Sequence, residues 1–146
     1  ATMDGANIEI KDEVGEDNIF SFGLNKDQVY KYYADKSYHP RNIYENDPVL
    51  RDTIDSLKEV PNCNGEPQAL VNNFLSDNEE FLVLADFEAY LAAQKAVEAT
   101  WAQKWIWYQM SLVNIAHSER FDVDKTIQRY AQDIWHLKKL HIEKTK

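Results

Sequence analysis

The first residues that could do chemistry stand at the start of the chain, where small and polar side chains precede a predicted helix. Thr2, Asp4, Gly5 and Asn7 make up this candidate set. A helix N-terminus presents unpaired N–H groups and the positive end of the helix dipole, which together can hold an anion. Spacing alone favours a simpler interpretation, in which Asp4 caps its own helix, because Asp is among the preferred N-cap residues.

Two histidine–aspartate pairs have a spacing that a metal ion could share. They are Asp35 with His39 and Asp133 with His136. A structural zinc site usually needs about four protein ligands, so a pair alone is a weak signal, and Pro40 interrupts the helix that the first pair would need. We therefore predict ordinary polar residues at both places and no metal site.

Adjacent carboxylates and a single cysteine are the remaining polar candidates. The acidic pairs are Asp12-Glu13, Glu16-Asp17 and Glu79-Glu80. A carboxylate pair can hydrolyse glycosides, but solvated helix faces or ends are favoured because Asp and Glu are mostly exposed. Cys63 has no histidine or basic neighbour in sequence that would lower its pKa. Nucleotide-binding, P-loop, serine-hydrolase and H-E-x-x-H motifs are absent from the sequence.

A cluster of aromatic residues in the second half of the chain could form a platform on which sugars stack. Helical spacing places Trp101, Trp105 and Tyr108 on one face and directs Trp107 elsewhere. Aromatic residues at helical spacing usually pack inside the protein. We therefore predict that these three residues form a core face.

Composition narrows the classes of partner. Twenty-five acidic residues against sixteen basic ones give a net charge of −9, which repels nucleic acid and anionic membrane surfaces. The single cysteine suits a reducing cytosol, so we predict a cytoplasmic protein. No apolar run approaches the roughly 20 residues of a membrane span. Residue 1 is alanine and no signal peptide follows, so we expect the chain to begin inside a longer protein.

Periodicity predicts a helix-rich α/β fold with about six helices and two strands. Helix starts are predicted at Asp4, Asn25, Asp47, Asp86 and Asp122, and ordered loops at Lys36 to Asn46 and Pro61 to Pro67. The predicted strands are Ile19 to Phe22 and Phe81 to Ala85, whose apolar character fits a parallel sheet covered on both faces. Two strands alone make a marginal sheet, so we expect them to belong to a larger one.

Several stretches resemble the α-glucan phosphorylases. Thr2 to Glu9 is similar to T-[LM]-D-G-A-N-[VI]-E, and Val14 to Gly23 to V-G-E-E-N-I-F-I-F-G. Ala85 to Tyr90 resembles A-D-Y-E-x-Y, Asn114 to Phe121 resembles N-I-A-x-S-G-K-F, and Asp124 to Trp135 resembles D-R-T-I-x-x-Y-A-x-x-I-W. The matches occur in the family's order. Ser21, Glu119 and Arg120 depart from the family pattern.

This resemblance implies an enzyme of two Rossmann-like lobes (GT-B type) that cleaves α-1,4-glucans with inorganic phosphate and releases glucose 1-phosphate. Residues 1–146 would be an incomplete C-terminal portion of the second lobe, with 136–146 as a Lys-rich tail. The family's pyridoxal phosphate is held on a lysine in an E-A-S-G-T-G-N-M-K run, upstream of the segment that Thr2 to Glu9 matches. That run is not in this sequence.

The resemblance therefore places no catalytic, cofactor-binding or metal-binding residue in the chain. It leaves Thr2, Asp4, Gly5 and Asn7 as candidates that support the cofactor site from behind. The implied partners are α-1,4-glucan, phosphate, the remainder of the phosphorylase chain and a second copy in a homodimer. The chain alone is predicted to be inactive. The alternative is a non-catalytic helical interaction domain derived from a phosphorylase tail.

Overall fold

The computed structural model describes residues 1–59, 67–138 and 140, and helices account for most of them. Eight α-helices lie in these residues: α1 (Gly5–Val14), α2 (Lys26–Asp35), α3 (Pro40–Asn46), α4 (Pro48–Ser56), α5 (Pro67–Phe74), α6 (Phe87–Ala102), α7 (Lys104–Ala116) and α8 (Val123–Arg129). Short 3₁₀ turns are Glu16–Asn18, Leu57–Glu59, Val83–Asp86 and Ser118–Phe121, and a π-helical turn, Tyr130–Ile134, continues α8. Cys63, most of the predicted Pro61 to Pro67 loop and most of the Lys-rich tail lie outside the described residues.

Four of the five predicted helix starts are capped by the side chain that the sequence indicated. Asp4, Asp47 and Asp122 each accept a backbone N–H of the helix that follows. Asn25 forms a capping box, in which its side chain accepts the N–H of Gln28 and the Gln28 side chain accepts the N–H of Asn25. α6 begins directly after Asp86 as predicted, but the Asp86 side chain makes no cap hydrogen bond, so the predicted cap is wrong there.

The core lies in the middle of the chain. Leu50 and Ile54 of α4 pack with Val71 of α5, with Leu75 just after it, and with Leu84 from the Val83–Asp86 turn. Leu50 and Val71 are each only 1% exposed. Burying a side chain of this size contributes roughly 1.5–3 kcal/mol, so this cluster is the main source of hydrophobic stabilisation among the described residues. The predicted loop from Lys36 to Asn46 is wrong in its second part, which is helix α3; this helix begins at a buried proline and packs on α4.

The predicted α/β class is wrong for the part of the chain that the structure describes, because it contains no strand. Ile19 to Phe22 is extended, but it pairs only with the first two residues. The Ala1 nitrogen donates to the Phe20 carbonyl at 2.7 Å, and the Phe22 nitrogen donates to the Ala1 carbonyl at 2.9 Å. Because α1 begins at Gly5, the pairing cannot continue, and a single parallel bridge results.

The second predicted strand, Phe81 to Ala85, is wrong for a different reason. Side chains accept three of its five backbone N–H groups, and its second half is the Val83–Asp86 turn. The Glu79 carboxylate accepts the N–H groups of Phe81 (2.7 Å) and Val83 (2.9 Å). The Tyr38 hydroxyl accepts the N–H of Leu84 at 3.3 Å. A short apolar run does not distinguish strand from helix by itself, and these local acceptors favour the turn.

Candidate functional site

The predicted residues at the start of the chain form a closed hydrogen-bond network that we call the N-terminal turn (Thr2, Asp4 and Asn7). One Asp4 oxygen accepts the Asn7 backbone N–H at 3.2 Å. The other accepts the Thr2 hydroxyl at 2.7 Å and the Asn7 side-chain amide at 3.1 Å. The Asn7 amide also reaches the Thr2 hydroxyl at 3.3 Å. The structure therefore brings together three of the four residues that the sequence singled out.

Gly5, the fourth residue, takes no part in this network. It lies at the first position of α1, and a Cβ added to it would meet no atom within 4 Å. Neither backbone conformation nor crowding therefore requires glycine at this position in the structure.

The hydrogen bonds around Asp4 favour its ionised form. The Thr2 hydroxyl, followed by the Asn7 backbone N–H, lowers the pKa of the Asp4 carboxyl below its usual value of 3.8. A carboxyl that is ionised at neutral pH has no proton to give, and a general acid needs the opposite shift. The geometry supports a positioning role for Asp4 and gives no support to proton transfer.

The N-terminal turn forms one side of a cleft of about 620 Å³. The cleft has a largely apolar wall with two carboxylates in it. Its lining residues are Thr2, Met3, Asp4, Phe22, Leu24, Phe81, Val83, Asp86, Phe87 and Tyr90. The start of the chain, the 22–24 segment and the beginning of α6 therefore meet around one space.

Asp86 joins two walls of this cleft by a hydrogen bond to Leu24, a contact that the sequence did not predict. One of its oxygens accepts the Leu24 backbone N–H at 2.7 Å. The other lies where a side chain on Gly23 would be, since a Cβ there would be 2.7 Å from it. Gly23 has φ +96°, a conformation that favours glycine. Because 62 residues separate Asp86 from Leu24, no local pattern could have indicated the contact.

The lining of this cleft does not fit pyridoxal phosphate. The cofactor's phosphate group calls for cationic or N–H donors, and its carbonyl carbon calls for a lysine amine. The lining residues include no lysine, arginine or histidine, and two of them are carboxylates that repel a phosphate.

The aromatic cluster is arranged opposite to the predicted core face. Trp105 is 78% exposed, and Trp101 and Tyr108 are also exposed. Trp107, predicted to point elsewhere, is the half-buried member and stacks on Phe20 with ring centroids 6.2 Å apart. The Trp101 and Trp107 rings meet edge to face with centroids 4.9 Å apart, and the Lys104 amine lies 2.9 Å from the Trp101 ring centre. The core prediction for Trp101, Trp105 and Tyr108 is therefore wrong in this structure.

Among the acidic pairs, Glu13 makes contacts between elements. Glu13 lies 3.4 Å from both His117 and Arg120, which joins α1 to the residues after α7. Glu119 pairs with Lys125, so both residues that depart from the phosphorylase pattern in this loop form ion pairs. No cluster of three potential metal ligands occurs within the described residues. Every helix in those residues is too short or too polar to span a membrane.

Comparison with known proteins now defines the class of this chain. The carbohydrate phosphorylase family matches residues 1–137, and the chain belongs to that family. It is 40% identical to glycogen phosphorylase from Bacillus subtilis over 144 residues, which cover 94% of the chain and 17% of the relative. Glycogen phosphorylase from Synechocystis is 37% identical, over 97% of the chain and 17% of its own length. The muscle form from Bos taurus is 37% identical, over 92% of the chain and 16% of its own length. The chain thus spans about a sixth of the length of these relatives.

Proposed function

We propose that this chain is part of an α-1,4-glucan phosphorylase. The enzyme would transfer a terminal glucosyl unit of glycogen or maltodextrin to inorganic phosphate, releasing glucose 1-phosphate and a glucan shorter by one unit. The observation that carries the proposal is the family match over residues 1–137, together with relatives that are named glycogen phosphorylases.

In this proposal the chain supplies scaffold, and its N-terminal turn supports the cofactor site from behind. Thr2, Asp4 and Asn7 hold one another in a fixed geometry, which supports such a role. Asp4 acts as an ionised acceptor and neither gives nor takes a proton in the reaction. Gly5 remains in the proposed set as the residue that begins α1, although its side-chain position is open.

The enzyme uses pyridoxal phosphate, held on a lysine outside residues 1–146. When bound, the cofactor supplies a phosphate that exchanges a proton with the substrate phosphate. The cleft lining, which has two carboxylates and no basic side chain, supports the part of the proposal that gives this chain no cofactor of its own. The chain on its own is then inactive.

The proposed partners are α-1,4-glucan, inorganic phosphate, the remainder of the phosphorylase polypeptide and a second copy in a cytoplasmic homodimer. A non-catalytic helical interaction domain is the second candidate. The observation that favours it is the run of exposed apolar residues on α7, namely Trp105, Tyr108, Leu112 and Ile115.

Two measurements separate the candidates. The intact mass of the native protein that carries this chain is measured first, and a species several times larger than 17.1 kDa supports the phosphorylase. That species is then assayed for glucose 1-phosphate release from maltodextrin and phosphate. A native protein of 17.1 kDa without this activity contradicts the proposal and supports the interaction domain.

The inactivity of the chain alone has its own test. The chain is incubated with pyridoxal phosphate, the mixture is reduced, and the modified residues are mapped by mass spectrometry. We expect sparse labelling spread over several lysines and no glucose 1-phosphate. A stoichiometric adduct on one lysine accompanied by glucose 1-phosphate release contradicts this expectation.

A further inference from the structure

Asp86, the last residue of the Val83–Asp86 turn, contacts a segment 62 residues earlier in the chain. Its carboxylate accepts the Leu24 N–H at 2.7 Å and fills the space beside Gly23. Four residues further along, the Tyr90 ring meets the Phe22 ring edge-on, with centroids 5.3 Å apart. The Val83–Asp86 turn and the start of α6 therefore contact the 22–24 segment at two points, through the Asp86 hydrogen bond and the Tyr90 ring.

The 22–24 segment in turn holds the N-terminal turn. The Phe22 nitrogen donates to the Ala1 carbonyl at 2.9 Å, and Thr2 forms the parallel bridge with Phe22. Thr2 then donates its hydroxyl to Asp4 at 2.7 Å. An unbroken series of short contacts thus runs from Asp86 through Leu24 and Phe22 to Asp4.

From these contacts we infer that Asp86 is a positioning residue for the N-terminal turn, and through it for the reaction. This inference rests on the proposed function for its catalytic consequence, but its structural part concerns only the described residues. Asp86 is half-buried and faces the same cleft as Asp4. When the Asp86 carboxylate is removed, the Leu24 N–H loses its acceptor and the space beside Gly23 is no longer filled. The N-terminal turn then moves relative to α6.

Asp86→Ala, Asp86→Asn and a matched control test the inference. Asn keeps an oxygen that can accept the Leu24 N–H, so it should restore most of what Ala loses. The control is Asp122→Ala, because Asp122 also accepts a backbone N–H, that of Lys125 at 3.0 Å, but it caps α8. A general loss of stability affects both alanine variants, whereas a displaced N-terminal turn affects only the first.

The structural arm uses NMR on the chain itself. Asp86→Ala should shift the signals of the Thr2 and Asn7 backbone and the Asn7 side-chain amide, and should speed exchange of the Phe22 N–H. Asp86→Asn should leave them close to wild type, and Asp122→Ala should leave them unchanged. If Asp86→Ala is folded and these signals do not move, or if they move as much in Asp122→Ala, the inference is overturned.

The catalytic arm uses the phosphorylase that carries this chain. A misplacement of about 1 Å remote from the chemistry can cost on the order of 10²-fold in rate, so Asp86→Ala should lower kcat by about 10- to 100-fold. The KM values for glucan and phosphate should stay unchanged, and Asp86→Asn should recover most of kcat. If kcat equals that of Asp122→Ala while the wild type is active, the inference fails and the proposed function stands. If the wild type releases no glucose 1-phosphate, the proposed function fails and the NMR arm alone decides the role of Asp86.

Discussion

Among the acidic residues that the structure describes, Glu79 is the one whose loss should destabilise the chain most. Glu79 is 5% exposed and accepts three hydrogen bonds, from the N–H groups of Phe81 and Val83 and from the Tyr38 hydroxyl. In Glu79→Ala all three donors lose their acceptor. A buried donor left unsatisfied costs about 1–3 kcal/mol. The two backbone donors are only partly buried, so water compensates for part of their loss, and we expect about 2–4 kcal/mol in total.

Glu79→Gln should have a smaller effect that comes from geometry. One Glu79 oxygen serves Phe81, and the other serves both Val83 and Tyr38. An amide keeps one oxygen and places an NH₂ group against the remaining donors. We therefore expect a loss of about 1–3 kcal/mol, between the alanine variant and wild type.

Urea unfolding followed by circular dichroism measures these differences, and hydrogen exchange at Phe81 and Val83 locates them. The matched control is Glu80→Ala, whose side chain is exposed and whose carbonyl, the acceptor for Tyr33, is retained. Surface changes of this kind usually stay within about 0.5 kcal/mol. The reasoning is refuted if Glu79→Ala and Glu80→Ala have the same stability and exchange at Phe81 and Val83 is unchanged.

Three further predictions follow from the same contacts. Thr2→Val should raise the pKa of Asp4 toward 3.8, because the Thr2 hydroxyl is the main cause of the lowered pKa. Since the pKa is lower in the folded state, the stability that Asp4 contributes is present above pH 3.8 and is lost as the pH falls through the folded-state pKa. An NMR titration of the Asp4 carboxyl measures this, and an unchanged pKa in Thr2→Val would contradict it. Burial raises the pKa of Tyr38 above its usual 10.0, so the folded chain should lose stability as the pH rises past 10.0. Ultraviolet titration should show Tyr38 among the last tyrosines to ionise, and its early ionisation in the folded chain would contradict this prediction. Gly23→Ala should lower the free energy of unfolding by more than about 1 kcal/mol, because φ is +96° and the new Cβ would lie 2.7 Å from Asp86. Gly5→Ala has open space around the new Cβ and should not lower it. Urea unfolding compares the two variants, and equal losses would refute the distinction.

Local sequence signals predicted the features that depend on neighbouring residues. Asp4, Asn25, Asp47 and Asp122 cap helices because a cap needs only a suitable side chain and the next few N–H groups. The network of Thr2, Asp4 and Asn7 was within reach for the same reason, since it closes within five residues.

Features that depend on distant partners were not predictable in this way. Whether Phe81 to Ala85 becomes a strand depends on Tyr38, more than forty residues earlier, and on the buried Glu79. The contact of Asp86 was also not predictable from its neighbours. An aspartate at that position suggested a helix cap, but its carboxylate accepts the backbone N–H of Leu24, 62 residues earlier. Helical spacing in α7 correctly placed Trp105 and Tyr108 on one face, but spacing gives no sign of which face is covered.

The exposed face of α7 also has a consequence for self-association of the chain in solution. Trp105, Tyr108, Leu112 and Ile115 offer apolar surface to other copies, while a net charge of −9 keeps those copies apart. Added salt shortens the range of the repulsion to about 8 Å at physiological ionic strength and leaves the apolar attraction intact. Self-association of the chain should therefore rise with salt, the reverse of what an interface made of ion pairs would show. Low ionic strength, rather than high, is the condition under which this chain stays dispersed.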